Sequence, residues 1–136
     1  RLSRKRKIKE TVAMDQQSSE PFYSMTRRAG DTLYLSGFGP VDDNMQVVGT
    51  SIEEQTTFTM QAISDALAAE GAGVHQLVRV NVFLLHMADR DGFNEAYMKF
   101  FASDPMPTRR LIGAGDLFAG ILVEIDGIAY LGEHHG

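Results

Sequence analysis

Cysteine is absent from this sequence of 136 residues. Its absence excludes disulfide bonds and thiolate chemistry, and it removes the usual indicator of the redox compartment. No apolar run approaches the ~18 residues that a membrane-spanning helix requires, and no apolar segment of a signal peptide follows the basic start of the chain. We therefore expect a soluble, cytoplasmic protein without a membrane partner.

Patterns that hold metals or activate nucleophiles are also missing. The four histidines, His75, His86, His134 and His135, have no metal-ligand spacing with nearby carboxylates. No serine occupies a nucleophile elbow, and no histidine has a recognisable triad context. The segment Gly37-Phe38-Gly39 follows a predicted strand, but no helix opens directly after it, which argues against a phosphate cradle. The residues therefore predict no metal site.

Positive charge is scarce outside the start of the chain. Six of the 13 basic residues lie in the first nine positions, which leaves 7 basic and 17 acidic residues after residue 10, a net charge of 7 − 17 = −10. An acidic body repels phosphate, so nucleic-acid binding is disfavoured. We predict a basic and polar N-terminal arm over residues 1–20 and a single domain over residues 21–136.

Hydrophobic periodicity and turn residues predict two helices and up to six strands, in the order β-β-β-α-β-α-β-β. Ser51 and Glu54 form a capping-box pattern that starts the first helix, and Asp89 or Asp91 can start the second. The predicted segments are strands at 22–26, 32–37 and 46–48, a helix from 51 to Gly71, a strand at 77–85, a helix between Asp89 and Pro105, and strands at 109–112 and 120–131.

This order of elements fits an α+β layer, one mixed β-sheet with two helices packed on one face. Hairpin-like pairs of strands are expected at each end of the chain. The other face of the sheet has no cover within one chain, so apolar residues on it predict oligomerisation.

An arginine and a glutamate, each among apolar neighbours, are the most informative feature. Arg109 lies in Pro-Thr-Arg-Arg-Leu and Glu124 in Leu-Val-Glu-Ile. An arginine fork matches a carboxylate on a small molecule, and a strand-borne glutamate can handle a proton. Strand alternation places Arg109 with Leu111, and Glu124 with Leu122 and Asp126. Two interpretations stay open: a structural ion pair, or a site that grips an acid and hydrolyses something beside it.

Six segments, occurring in order over roughly residues 21–131, resemble the Rid (YjgF-type) family of enamine/imine deaminases. They are residues 28–37, 54–56, 80–84, 93–97, 107–109 and 122–125. The resemblance implies a chorismate-mutase-like fold, a homotrimer, and active sites in the clefts between subunits. It implies no metal or organic cofactor.

Carried over by position, the resemblance implies that Arg109 binds the substrate carboxylate and that Glu124 orients or activates the hydrolytic water. Spacing alone does not single out the residues that it implies for the pocket. These residues are Tyr23, Ser36, Gly37 and Asn94. Leu111 joins them because strand alternation places it on the same face as Arg109.

The implied activity is hydrolysis of small carboxylated imines to 2-oxo acids and ammonia, as in 2-iminobutanoate/2-iminopropanoate deaminases. Phe38, Arg110 and Leu111 depart from the family pattern. Leu111 makes the pocket more apolar, whereas a strand bulge could turn Arg110 inward and favour a dicarboxylate. Two alternatives therefore stay open: a pathway-specific enzyme such as a 2-aminomuconate deaminase, and a non-catalytic trimer that binds a 2-oxo acid. The acidic body and the lack of a catalytic histidine pair disfavour a ribonuclease.

Overall fold

A computed structural model describes residues 22–102 and 105–133 of the chain. The predicted arm over residues 1–20 lies outside the described residues, as do His134 and His135. The described elements are strands β1 (Thr26–Ala29) and β2 (Thr32–Phe38), helix α1 (Ile52–Ala69), strand β3 (Leu77–Leu84), helix α2 (Arg90–Met98), and strands β4 (Thr108–Gly113) and β5 (Val123–Tyr130). Short 3₁₀ turns cover Val74–Gln76, Met87–Asp89 and Phe118–Gly120.

The five strands form one mixed sheet in the order β1-β2-β5-β3-β4. Strand β4 pairs with β3 in parallel, and the other neighbours are antiparallel. The predicted α+β layer is confirmed, but the expected hairpin of the last two strands is wrong. Helix α2 is a crossover that returns β4 parallel to β3 at the edge, so β5 pairs elsewhere. Strand β5 lies at the centre of the sheet, between β2 and β3.

Strand bounds differ from the prediction at three places. The first strand is Thr26–Ala29 instead of 22–26, because the turn at Gly30, with φ 61°, pairs Ala29 directly with Thr32. Residues 46–48 form an isolated bridge, between Val41 and Val47, in place of the predicted strand. The last strand starts at Val123, after the 3₁₀ turn.

Helix α1 begins as predicted. The Ser51 hydroxyl accepts a hydrogen bond from the Glu54 N–H at 3.1 Å, and Glu54 Oε1 accepts one from the Ser51 N–H at 3.2 Å. This reciprocal pair satisfies two N–H groups that a helix start leaves unpaired. Gly71 follows the helix with φ 75°, a conformation that glycine adopts without strain.

The hydrophobic core lies between the two helices and one face of the sheet. The apolar stripe of α1, formed by Met60, Ile63 and Leu67, is buried, as are Phe93 and Tyr97 of α2. The sheet contributes Val80, Val82 and Ile125 to the core. The opposite face, which we call the open face, exposes Tyr34, Ile112 and Tyr130. Neither helix of the described chain is long and apolar enough to cross a membrane.

Candidate functional site

Arg109 lies on edge strand β4 and faces the helices. It is paired in register with Val80 of β3, whose side chain is buried in the core. The guanidinium carbon lies 5.1 Å from the ring centroid of Tyr97 and 5.6 Å from that of Phe93. Aromatic faces hold a cation in place without cancelling its charge. Among the described residues no carboxylate pairs with Arg109, so its charge is available to an anion.

A pocket of about 400 Å³ opens beside this guanidinium. We call it the arginine pocket; it is lined by Asn94, Tyr97, Met98, Met106, Pro107 and Arg109. Asn94 Oδ1 is buried and accepts no hydrogen bond from the described residues. A buried acceptor without a donor costs roughly 1–3 kcal/mol. The pocket thus offers a cation for an acid and two thioethers for an apolar side chain.

A β-bulge shapes the open face next to β5. Leu35 pairs with Gly127 and Phe38 with Ile125, so Ser36 and Gly37 together lie opposite the single residue Asp126. The Ser36 hydroxyl donates a hydrogen bond to the Ser24 carbonyl at 2.6 Å. This bond ties the segment that precedes β1 to the bulge.

Glu124 lies over the backbone of Gly37. A Cβ atom at Gly37 would lie 2.5 Å from Glu124 Oε2 and 3.1 Å from its carboxyl carbon. The Glu124 carboxyl is half-buried, and burial, followed by the negative charge of Asp126, raises its pKa. A glutamate with a raised pKa keeps its proton closer to neutral pH, which suits it to proton transfer. Gly37, Ser36, Glu124 and Asp126 form what we call the glutamate site.

The arginine pocket and the glutamate site lie on opposite faces of the sheet within one chain. Arg109 shares the helix-facing side with Val80 and Leu111, whereas Glu124 is paired with Phe83 on the open face. The structural ion pair that the sequence left open, between Arg109 and the carboxylates of β5, is therefore wrong. Leu122 precedes the strand and packs against the core, so it does not share the face of Glu124 as predicted.

The remaining predicted residues fall into separate places. Tyr23 is exposed next to Ser24, on the segment tied to the bulge. Leu111 packs against the core and is not among the residues lining the arginine pocket. Register between β3 and β4 is unbroken, so no bulge turns Arg110 inward and it stays exposed on the open face. Phe38 is buried in the core, so its departure from the family pattern concerns packing.

Sequence patterns did not identify several residues that build the two sites. Tyr97 follows Asn94 by three positions on α2, and this helical spacing is the one local signal that links them. Gln55 Oε1 accepts a hydrogen bond from the Leu122 N–H at 2.7 Å, and its Nε2 donates to the Gly49 carbonyl at 3.1 Å. Gln55 thus joins α1 to the start of the strand that carries Glu124, a contact with no local signal.

Comparison with known proteins gives consistent matches over most of the chain. A family profile described as Endoribonuclease L-PSP matches residues 14–131. A RutC family protein of Saccharolobus solfataricus is 39% identical over 108 residues, which cover 79% of this chain and 85% of that protein. The chloroplastic Reactive Intermediate Deaminase A of Arabidopsis thaliana is 31% identical over 110 residues, covering 80% and 58%. The structure of YyfA from Yersinia pestis, described as a Rid family protein of unknown function, has a TM-score of 0.79 at 28% identity and covers 83% of this chain and 90% of that one.

Proposed function

This chain belongs to the Rid (YjgF/RutC) family, and from that premise we propose that it is an enamine/imine deaminase that hydrolyses small carboxylated imines to 2-oxo acids and ammonia. The observation that carries the proposal is an arginine without an ion-pair partner in the described chain, set in a pocket beside the buried acceptor of Asn94. An imino acid carries the carboxylate that an unpaired arginine recognises.

A shared active site requires several chains to assemble, because the arginine pocket and the glutamate site lie on opposite faces of the sheet. A single active site that uses both Arg109 and Glu124 must take them from different copies. We propose a homotrimer in which the arginine pocket of one subunit meets the glutamate site of its neighbour. The exposed apolar side chains of the open face, Tyr34 and Ile112 among them, support such an assembly.

The proposed reaction needs no nucleophile from the protein. Water adds to the imine carbon as the C=N π electrons move to nitrogen; the nitrogen takes a proton and the water loses one, which gives a carbinolamine. The carbinolamine nitrogen then takes a second proton, the hydroxyl group loses its proton, and the C–N bond breaks to give the 2-oxo acid and ammonia. The Glu124 carboxyl can give a proton to the nitrogen and take one from the oxygen, since burial raises its pKa. Arg109 fixes the substrate carboxylate for both steps.

Substrate choice follows from the lining of the arginine pocket. Among the described residues it holds a single guanidinium, because Arg110 lies on the other face, so we propose a monocarboxylate in place of the dicarboxylate that an inward Arg110 would favour. Met98 and Met106 favour an apolar side chain. The cytoplasmic location stays a prediction, since the Arabidopsis relative is named as chloroplastic.

The test supplies imines in situ with an amino-acid oxidase and measures 2-oxo acid and ammonia release across several side chains. We expect the wild-type protein to accelerate release and Arg109→Ala to reduce kcat/KM by roughly 10²–10⁴-fold, the loss of two charge-assisted hydrogen bonds. Arg110→Ala is the matched control, because it removes the same charge one residue away on the opposite face. We expect it to retain the arginine-dependent activity.

The outcomes separate the proposed enzyme from a binding protein. Acceleration that survives in Arg109→Ala would remove the arginine from the site. No acceleration by the wild-type protein, together with saturable 2-oxo acid binding that requires Arg109, would instead identify a trimer that binds the acid without turning over an imine.

A further inference from the structure

Asp126 is the second carboxylate of the glutamate site, and the reaction as proposed does not use it. Its Oδ1 accepts a hydrogen bond from Asn81 Nδ2 at 2.7 Å across the β3–β5 pair, and the pair is partly buried. An amide donor fixes the position of a carboxylate without neutralising it, whereas an arginine would cancel the charge. Asp126 is therefore held in place without a cationic partner among the described residues.

Asp126 lies on the same face of β5 as Glu124, so the two carboxyl groups are close to each other. Residues two apart on a strand share a face and lie about 6.6 Å apart at 3.3 Å per residue. The Glu124 carboxyl also lies over Gly37, which together with Ser36 forms the bulge opposite Asp126. The bulge thus confines the glutamate beside the aspartate, and half-burial leaves their repulsion less screened than on an exposed surface.

Other ionisable groups on the open face do not take over this role. From β3 Arg79 is paired with Ile128, from β4 Arg110 is paired with Asn81, and β2 contributes Tyr34, itself paired with Ile128. Strand β1 adds Arg27, which is paired with Tyr34. Within the described ranges none of these arginines forms an ion pair with Glu124 or Asp126.

We infer that Asn81 and Asp126 are a positioning pair that keeps Glu124 in its proton-donating form. The role in catalysis rests on the proposed deaminase function, in which Glu124 gives a proton to the nitrogen of the substrate. The electrostatic part does not, since it follows from the hydrogen bond and the shared face. Burial, and after it Asp126, raises the pKa of Glu124, in agreement with this geometry.

The decisive experiment is a carboxyl ¹³C NMR titration of the full-length protein, with Glu124→Gln identifying the resonance of Glu124. We expect Asp126→Asn to lower the titration midpoint by roughly half a pH unit or more, the shift that one charge about 6.6 Å away produces even in water. Asn81→Ala should lower it too, because Asp126 loses the hydrogen bond that holds it beside Glu124. Asp65→Asn, on the exposed side of α1, removes the same charge on the other side of the sheet and is the matched control.

The pH dependence of activity is a second measurement, and a purely structural role of Asp126 would not change it. If Glu124 acts as the acid, kcat/KM falls as pH rises through its titration, so Asp126→Asn should move this alkaline limb to lower pH. An unmoved NMR midpoint in Asp126→Asn, with Asn81→Ala tested in its place if the first variant fails to fold, would overturn the inference. Should no imine be hydrolysed, the proposed function fails alone, and the NMR midpoints still decide whether Asp126 controls Glu124.

Discussion

At Gly37 the backbone of β2 lies close to the carboxyl group of Glu124, the proposed proton donor. The Glu124 carboxyl occupies the space that a side chain at Gly37 would take, and Gly37 does not need a positive φ to do so. Glycine is therefore needed here because the bulge brings the backbone close to the Glu124 carboxyl. The conformational freedom of glycine is not the reason.

Replacing Gly37 with alanine should displace the Glu124 carboxyl and leave the fold intact. The new Cβ would meet the end of a flexible side chain at 2.5 Å, so the side chain gives way before the backbone does. We expect kcat/KM to fall roughly 10- to 100-fold, since small misplacements of a catalytic group have costs of this size. Circular dichroism and the melting temperature should stay close to wild type.

Gly115→Ala is the control for that substitution, because nothing lies within 4 Å of the Cβ that it would add. Equal activity in the Gly37 and Gly115 variants would show that the position of the Glu124 carboxyl does not matter to the reaction.

Glu124 should also make the stability of the fold depend on pH. Its pKa is raised in the folded state above the ordinary value of 4.5, so the folded state binds more protons than the unfolded chain over the window that begins near this value. Stability therefore falls as pH rises through that window. Glu124→Gln lacks this cost, so we expect its melting temperature to exceed that of wild type at pH 7 and the difference to vanish at pH 4. A difference that is the same at both values would contradict the raised pKa.

At the scale of elements, helix α1 does more than cover the sheet. Through Gln55, a buried residue, it binds both Gly49 before the helix and Leu122 before β5. The helix thereby fixes where β5 begins, and with it the strand position of Glu124.

Gln55→Ala should destabilise the fold by roughly 1–3 kcal/mol, because it leaves the Leu122 N–H and the Gly49 carbonyl without partners in a partly buried place. Chemical denaturation measures this directly. Gln61→Ala is the matched control on the same helix, where the side chain donates to Asp65 Oδ1 at an exposed site, and its effect should stay within about 0.5 kcal/mol. Equal effects of the two substitutions would show that the bonds of Gln55 contribute nothing beyond helix propensity.

For the whole molecule, the two faces of the sheet dictate how a site can be completed. Arg109 points toward the helices and Glu124 toward the open face, so contact between copies is the way to bring them together. Light scattering should give three times the mass of the chain, and a monomer that is fully active would refute the shared site.

Mixed trimers test the same point more sharply. Arg109→Ala and Glu124→Gln subunits are each expected to be inactive alone, but refolding them together should place an intact arginine against an intact glutamate at one interface of each mixed trimer. Random mixing of equal amounts makes three quarters of the trimers mixed, each with one site of three intact, so about one quarter of wild-type activity should return. Sites built within one chain would give no recovery.

The sequence by itself determined features that depend on near neighbours. The capping box of Ser51 and Glu54, the buried stripe of α1 and the alternation that separates Arg109 from Arg110 are all set by residues within a few positions of one another. Six segments in family order also predicted the family, which the profile match and the relatives confirm.

Only the tertiary structure decided how distant segments combine. The central place of β5 puts Glu124 and Arg109 on opposite faces, and the bulge at Ser36 and Gly37 brings the backbone of Gly37 against the Glu124 carboxyl. Alternation predicts which residues of one strand share a face, but strand order and register relate the faces of different strands, and these depend on pairing between residues far apart in the chain. The free energy of that pairing comes from the whole core, so no local pattern records it.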